Sequence, residues 1–116
     1  MPKYKVPSNI KDIAQRVIEY NLSFPEAQRA AWIKDGERKS GTGMRTARRL
    51  ASGFVDEAQL ILMRAWFARH SVSPGEKDAR KDKTSKAARS WALWGGSPAM
   101  RWVNGLLREI EKKKEK

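Results

Sequence analysis

The chain has 116 residues, no cysteine and a formal net charge of +12 at pH 7. This length suits one domain, and the lack of cysteine excludes a disulfide framework and a cysteine-type zinc site. The excess of 25 lysines and arginines over 13 acidic residues favours a polyanionic partner, which is nucleic acid or, less often, an acidic protein. Since no stretch is typical of a signal peptide or a membrane span, we expect a protein that is neither secreted nor membrane-bound.

Two helices are predicted after a short basic lead, residues 1–6, which we expect to be loose. Ser8 is predicted to N-cap a one-sided helix that ends near Asn21. Ser23 opens a capping-box pattern for a second helix, which we expect to reach about Arg38.

A short helix is predicted over residues 44–52 and is closed by Gly53. The next predicted helix covers residues 56–70, with Asp56 as its N-cap and Gln59 in the capping-box partner position. This stretch holds too many apolar residues for one stripe, and such a helix is normally buried in the middle of a domain.

The last part of the chain begins with residues 71–84, which contain a Ser-Pro-Gly turn and a nearly all-charged run. They indicate a solvated loop or a short polar helical turn. A helix is predicted over residues 85–94, where a pair of glycines ends it, and Ser97 is predicted to N-cap the last helix. Trp91, Trp94 and Trp102 surround the glycine pair, and we interpret them mainly as core.

No alternating strand pattern is present in the sequence. We therefore predict an all-α fold in which five to six helices pack around a central buried helix, residues 56–70. A single helical domain is expected over residues 7–110, followed by a charged tail at residues 111–116.

Catalytic and metal-binding chemistry has little support in this sequence. His70 is the only histidine, and there is no cysteine to act with it as a metal ligand. We interpret His70 as a helix-end residue that packs or caps locally. The sequence therefore predicts a protein that is not an enzyme and has no metal and no cofactor.

Two basic segments are candidate nucleic-acid contacts. The first surrounds the start of the predicted helix 44–52, where unpaired backbone N–H groups favour an anion, and consists of Lys39, Thr42, Arg45, Arg48 and Arg49. The second follows residue 76 and consists of Lys77, Arg80, Lys81, Lys83, Lys86 and Arg89. Both are expected to contact phosphates without selecting a base sequence. The alternatives are a solvated basic face for the first segment and a solvated linker for the second.

Several short pieces of the chain occur in a recognisable order. They are Gly-Thr-Gly at 41–43, Arg-Thr-Ala-Arg-Arg-Leu-Ala-Ser-Gly at 45–53, Trp-Phe-Ala-Arg-His at 66–70, and Ala-Leu-Trp-Gly-Gly at 92–96 with Arg101-Trp102. In this order they resemble a small helical module of tailed-bacteriophage proteins, found alone or attached to head proteins such as prohead proteases and portals. The resemblance covers residues 25–108 and implies a helical fold and a phage context, with no established activity. Ser97 stands where members of this module often have an acid.

Our leading hypothesis is a non-enzymatic basic phage protein that binds nucleic acid and is associated with the phage head or its packaged DNA. DNA is the expected ligand, with RNA as the alternative. The other functional hypothesis is an interaction module that docks on an acidic protein of the virion or the host. In either case the expected location is the host cytoplasm or the virion, and the oligomeric state stays open.

Overall fold

The computed structural model describes residues 2–31 and 42–114, with Thr42 described by its backbone alone. In chain order the elements of these residues are β1 (Lys3–Lys5), α1 (Ser8–Leu22), a 3-10 turn (Glu26–Gln28), α2 (Thr42–Ser52), β2 (Phe54–Asp56), α3 (Glu57–His70), α4 (Pro74–Ala79), α5 (Lys86–Leu93) and α6 (Gly96–Lys114). The prediction of a mostly helical fold is confirmed, and all helices but α4 have at least eight residues. Within the same residues no helix is long and apolar enough to cross a membrane.

The core is assembled from one apolar stripe on each of the larger helices. Its helical members are Ile10, Ala14 and Val17 of α1, Met44, Ala47 and Leu50 of α2, Leu60, Met63 and Phe67 of α3, Leu93 of α5, and Ala99, Val103 and Leu107 of α6. Spacings of three and four residues place these side chains on a single face of each helix. The sequence pattern therefore determines which side of each helix turns inward.

Within the described residues helix α3 is buried on one side only, so the structure does not show the predicted central buried helix. Leu60, Met63 and Phe67 are buried on one side, but 46% of Ile61 and 40% of Leu62 are exposed. The helix packs mainly against α6 and β2. A count of apolar residues overestimates burial here, because in the described part of the chain no element covers the outer side of Ile61 and Leu62.

A small antiparallel sheet joins the start of the chain to the residues ahead of α3. Its register pairs Lys3 with Asp56, Tyr4 with Val55 and Lys5 with Phe54. The lead that was expected to be loose is therefore a paired strand, and the all-α prediction missed it. Three residues are too few to display an alternating pattern, so strands of this length leave little trace in the sequence.

The predicted second helix is absent from the residues that the structure describes after α1. Ser23 does not cap it, because its hydroxyl donates to the carbonyl of Tyr20. The 3-10 turn is followed by extended backbone at Arg29, and residues 32–41 lie outside the described part of the chain. Ser8 also differs from prediction, since α1 starts at this residue without a side-chain cap.

The caps of α3 and α4 agree only in part with prediction. The Asp56 carboxylate accepts a hydrogen bond from the backbone N–H of Gln59 at 2.8 Å, which confirms the predicted N-cap. The Gln59 side chain is not a capping-box partner, however, because it is buried against α2. The Ser-Pro-Gly sequence forms the cap and first turn of α4, where Ser73 accepts from the N–H of Glu76.

A sharp elbow joins α5 to α6, as predicted. Gly95 and Gly96 have φ angles of +99° and +71°, a region that side chains larger than glycine rarely adopt. A Cβ on Gly95 would also collide with the Cβ of Ala99. Ser97 is not the N-cap of α6, since that helix already starts at Gly96. The hydroxyl of Ser97 instead accepts a hydrogen bond from Trp91 Nε1 at 3.3 Å.

Helix α6 continues into the segment that was predicted to be a charged tail. It runs to Lys114, whose Nζ lies 2.8 Å from a carboxylate oxygen of Glu57. Pro2 and Tyr4 line a groove together with this end of α6. The first and last described residues therefore lie near each other, beside the small sheet.

Candidate nucleic-acid interface

Helix α2 divides its residues between the core and the surface. Its inner side carries the buried residues Gly43, Met44, Thr46, Ala47 and Leu50. Arg45, Arg48 and Arg49 are exposed on the other side, as the sequence predicted. The helical period therefore brings three guanidinium groups onto one outward surface, where they can meet the phosphates of a nucleic acid.

Arg49 is held in place by a buried pair of polar side chains. Its Nη1 donates to Oε1 of Gln59, and Gln59 Nε2 donates to the hydroxyl of Thr46 at 3.1 Å. Gln59 and Thr46 are only 3% and 1% exposed. Because a positioned guanidinium loses less rotational freedom on binding an anion, Arg49 is better prepared for a phosphate than an unrestrained surface arginine would be. Sequence reasoning missed this relay, since it assigned Gln59 to the cap.

The first turn of α2 is covered on the side of Gly43. A Cβ at this position would lie 2.8 Å from the Cβ of Ala31 and 3.4 Å from Nε1 of Trp94. The glycine therefore serves a close packing contact, which weakens the interpretation of this turn as a phosphate cradle. Lys39 and the side chain of Thr42, the other two predicted contacts of this segment, lie outside the described part of the structure.

The second basic segment presents four lysines to solvent: Lys77, Lys81, Lys83 and Lys86. The Lys81 ammonium lies 3.4 Å from a carboxylate oxygen of Asp78, and both side chains are about 80% exposed. An ion pair this exposed contributes little to stability and yields readily to another anion. These lysines are therefore accessible, as the sequence predicted.

Arg80 and His70 connect the end of α3 to α4 and α5. The Arg80 guanidinium lies 4.1 Å from the ring centre of Trp91 and donates to the carbonyl of His70 at 3.2 Å. The His70 ring stacks on Trp66, and its Nδ1 lies 2.8 Å from Glu76 Oε1. The predicted local role of His70 is thus confirmed, and Arg80 is only partly available to a ligand.

Arg89 was predicted to contact nucleic acid, but the structure places it in the interior. It is 4% exposed, and its Nη1 donates to Oδ1 of Asn21 and to the carbonyl of Gln28, both at 2.9 Å. Its Nε donates to the carbonyl of Thr84 at 3.3 Å, and its guanidinium lies over the ring of Phe24. Desolvation lowers the pKa of Arg89. The prediction is wrong for this residue, because the side chain is buried and its Nε and Nη1 already donate to acceptors inside the protein.

Asn21, the main partner of Arg89, is itself fully buried. Its Nδ2 donates to the carbonyl of Ala30 at 3.0 Å, and its Oδ1 accepts from the N–H of the same residue at 2.9 Å. The side-chain amide of Asn21 therefore provides a hydrogen-bond partner for both the carbonyl and the N–H of Ala30. Asn21 and Arg89 together fasten α1, the segment after the 3-10 turn, and α5.

Trp66, Trp91 and Trp94 pack against one another, and Trp91, Trp94 and Trp102 belong to the core or pack against it, as predicted. Trp94 is 3% exposed, and Trp66 stacks on it with ring centres 4.7 Å apart. Trp91 lies 5.8 Å from Trp66, and Trp102 is half-buried against the core. A groove of about 440 Å³ lies beside them, but His70, Trp94 and Arg80 already contact the rings that border it. These tryptophans therefore stabilise the fold.

Comparisons of this chain with protein-family models, with curated proteins and with solved structures found no match. Within residues 2–31 and 42–114, no group of three or more acidic or histidine side chains is placed to hold a metal ion. The structure is mostly helical, and the accessible basic side chains of the two predicted segments lie on α2 and around α4, with further exposed basic residues on the β1–β2 ribbon and on α6.

Proposed function

We propose that this protein is a non-enzymatic basic phage protein that binds nucleic acid, with DNA as the first expected ligand. Binding would occur largely through phosphate contacts, and the protein would associate with the phage head or its packaged DNA. The observation that carries the proposal is the outward side of α2, where three arginines are exposed and Arg49 is held by Gln59. The phage context follows from the resemblance of residues 25–108 to the tailed-phage module.

The physical basis of this function is the release of counterions from nucleic acid. A chain with a net charge of +12 attracts a polyanion over a distance. Each lysine or arginine that neutralises a phosphate of duplex DNA adds roughly 0.9 to the slope of log affinity against log salt. Phosphate contacts are independent of base sequence, so unrelated duplexes should bind with similar affinity.

The test is a titration of two unrelated labelled duplexes at several salt concentrations. Arg45→Ala with Arg48→Ala should reduce the affinity for both duplexes to a similar extent and lower the salt slope by roughly 1–2 units, about one per lost contact. A second variant, Lys83→Ala with Lys86→Ala, measures the contribution of the other basic segment. Arg49 is left intact, because its removal would also leave the buried acceptor Oε1 of Gln59 without its hydrogen-bond donor.

The matched control is Arg101→Ala with Arg108→Ala, which removes two exposed charges from α6. It separates the effect of net charge from the effect of position. Equal losses in all three double variants would show that net charge alone drives binding. If the wild type binds neither duplex at low salt, or if its binding is insensitive to salt, the proposal is rejected.

The alternative function, docking on an acidic protein, is favoured by one specific observation. Ile61 and Leu62 are exposed on the outer side of α3, where they can form an apolar contact. Co-sedimentation with phage head proteins, in salt that abolishes DNA binding, tests this alternative. Retained binding that is lost in Ile61→Ser with Leu62→Ser would support it over the nucleic-acid proposal.

A further inference from the structure

The outer face of the β1–β2 ribbon combines exposed cations with an exposed aromatic ring. Residues that are opposite in an antiparallel pair share a face, and so do residues two apart on one strand. The register therefore puts Lys3, Lys5, Phe54 and Asp56 on one side and Tyr4 with Val55 on the other. Val55 is 3% exposed and Tyr4 packs against the core, so the side with the lysines faces solvent.

Phe54 is the most exposed aromatic side chain among the residues that the structure describes. Its exposure is 52%, and in that part of the chain no other ring contacts it. A single exposed apolar residue is ordinary on a protein surface. The exposure of Phe54 alone therefore does not indicate a ligand, and the class of ligand has to be inferred from the residues around it.

The groove beside Phe54 is lined by two cationic side chains and by one acid, Asp56. It has a volume of about 460 Å³ and is lined by Lys3, Arg49 and Ser52 in addition to Phe54 itself. Lys5 is opposite Phe54 in the sheet, and Lys11 Nζ approaches the adjacent turn at Gly53.

The acid that shares the outer face, Asp56, has a carboxylate oxygen engaged as the N-cap of α3. Arg49 is meanwhile fixed by its bond to Gln59. The surroundings of the ring are thus those of a binding site for an anion that also carries a flat apolar group.

We infer that the outer face of the β1–β2 ribbon, together with Arg49, binds single-stranded nucleic acid, with one base stacked on Phe54 and neighbouring phosphates on Lys3, Lys5 and Arg49. An aromatic ring within a positive groove is the recurring arrangement for single strands, because every unpaired base can stack on it. In a duplex the base faces are covered by their neighbours, so Phe54 would add little there. The inference rests on the proposed function and extends it, since it assigns strandedness and places contacts outside the two basic segments.

The experiment compares a labelled thymidine oligomer with a labelled duplex, by fluorescence anisotropy, for the wild type, Phe54→Ala and Phe54→Trp. Phe54→Ala should weaken binding of the single strand roughly 5- to 150-fold, since stacking contributes about 1–3 kcal/mol per base. Duplex affinity should change less than about twofold, and Phe54→Trp should retain single-strand binding because indole offers a larger stacking face. Val72→Ala is the matched control, as Val72 is 67% exposed but lies beyond α3.

Incorporation of fluorophenylalanine provides a direct second readout. The chain has three phenylalanines, so three fluorine resonances are expected, and Phe54→Leu identifies the one that belongs to Phe54. Addition of the oligomer should shift this resonance more than those of Phe24 and Phe67. A thermal melt of Phe54→Ala, together with the Phe54→Trp result, separates a lost contact from a damaged fold.

The outcomes distinguish this inference from the proposed function. If Phe54→Ala binds the single strand like the wild type, and if the Phe54 fluorine resonance of the labelled wild type does not respond to the oligomer, the inference is overturned, while salt-dependent duplex binding would still support the function. If the wild type binds neither form of nucleic acid, both are overturned. If Phe54→Ala leaves nucleic-acid binding intact but abolishes self-association or binding to a head protein, the ribbon is a protein interface and the inference is wrong.

Discussion

Replacement of Arg89 by alanine tests the internal hydrogen-bond network most directly. Arg89 donates to Asn21, Gln28 and Thr84 and lies over the ring of Phe24. Its loss should therefore destabilise the protein, although Arg89 belongs to a segment that looks like a solvated basic run in the sequence. A surface arginine replaced in the same way should have almost no effect.

The expected magnitude follows from where each partner lies. The Oδ1 of Asn21 is fully buried and would keep only its bond from Ala30, a loss that costs about 1–3 kcal/mol. Gln28 is exposed, so water can replace its bond to Arg89. The contact with Phe24 contributes about 0.5–2 kcal/mol. Part of this total is offset, because alanine does not bear the desolvation that lowers the pKa of Arg89. We expect a net loss of roughly 2–4 kcal/mol.

Urea unfolding followed by tryptophan fluorescence measures this loss. Arg45→Ala is the matched control, since Arg45 is exposed on α2, and its free energy of unfolding should stay within about 0.5 kcal/mol of the wild-type value. The free energy of unfolding of Arg89→Lys should lie between those of Arg89→Ala and Arg45→Ala, because an ammonium group keeps the charge but cannot reproduce the several N–H donors of a guanidinium. Equal midpoints for Arg89→Ala and Arg45→Ala would refute the assignment of Arg89 to the interior.

Two further predictions concern the elbow and the turn before α5. Gly95→Ala should lower the free energy of unfolding by about 2–4 kcal/mol, because the backbone at this position has φ +99° and the added Cβ would meet the following helix. The control is Gly75→Ala, where an added Cβ has no atom within 4 Å, and in thermal melts it should change the free energy of unfolding by less than about 1 kcal/mol. Asp82 accepts from the N–H and the hydroxyl of Thr84, which lowers its pKa below 3.8. A carboxyl group whose pKa is lowered on folding stabilises the protein at pH values above its unfolded-state pKa. This stabilisation is lost as the pH falls through the folded-state pKa. The stability difference between wild type and Asp82→Asn should therefore be constant near neutral pH and shrink in acid, and a difference that grows in acid would contradict this.

The positions at which helices begin and end were predictable where they depend on neighbouring residues in the sequence. Gly53 ends α2 with φ +97°, Asp56 caps α3, and the glycine pair after α5 makes the elbow. Each of these depends on one or two residues and their backbone preferences, which do not require knowledge of distant parts of the chain. The outward arginines of α2 were predictable for the same reason, since one helical period decides them.

Features that depend on distant partners were not predictable. Arg89 resembles its basic neighbours in the sequence, but its burial is decided by Asn21, 68 residues earlier. The β1–β2 ribbon joins residues 3–5 to residues 54–56, and neither strand is long enough to alternate. The exposure of Ile61 and Leu62 depends on which elements remain to cover α3, and apolar composition alone does not determine that.

The contact between Lys114 and Glu57 has a consequence for how this protein can be joined to another one. It brings the end of α6 to the residue that directly follows β2, while Pro2 and Tyr4 border the same groove. A partner domain fused through either end would therefore sit next to the ribbon that carries Phe54. Such a fusion would hold the partner domain close to any nucleic acid bound at the ribbon, whether the partner domain precedes or follows this one.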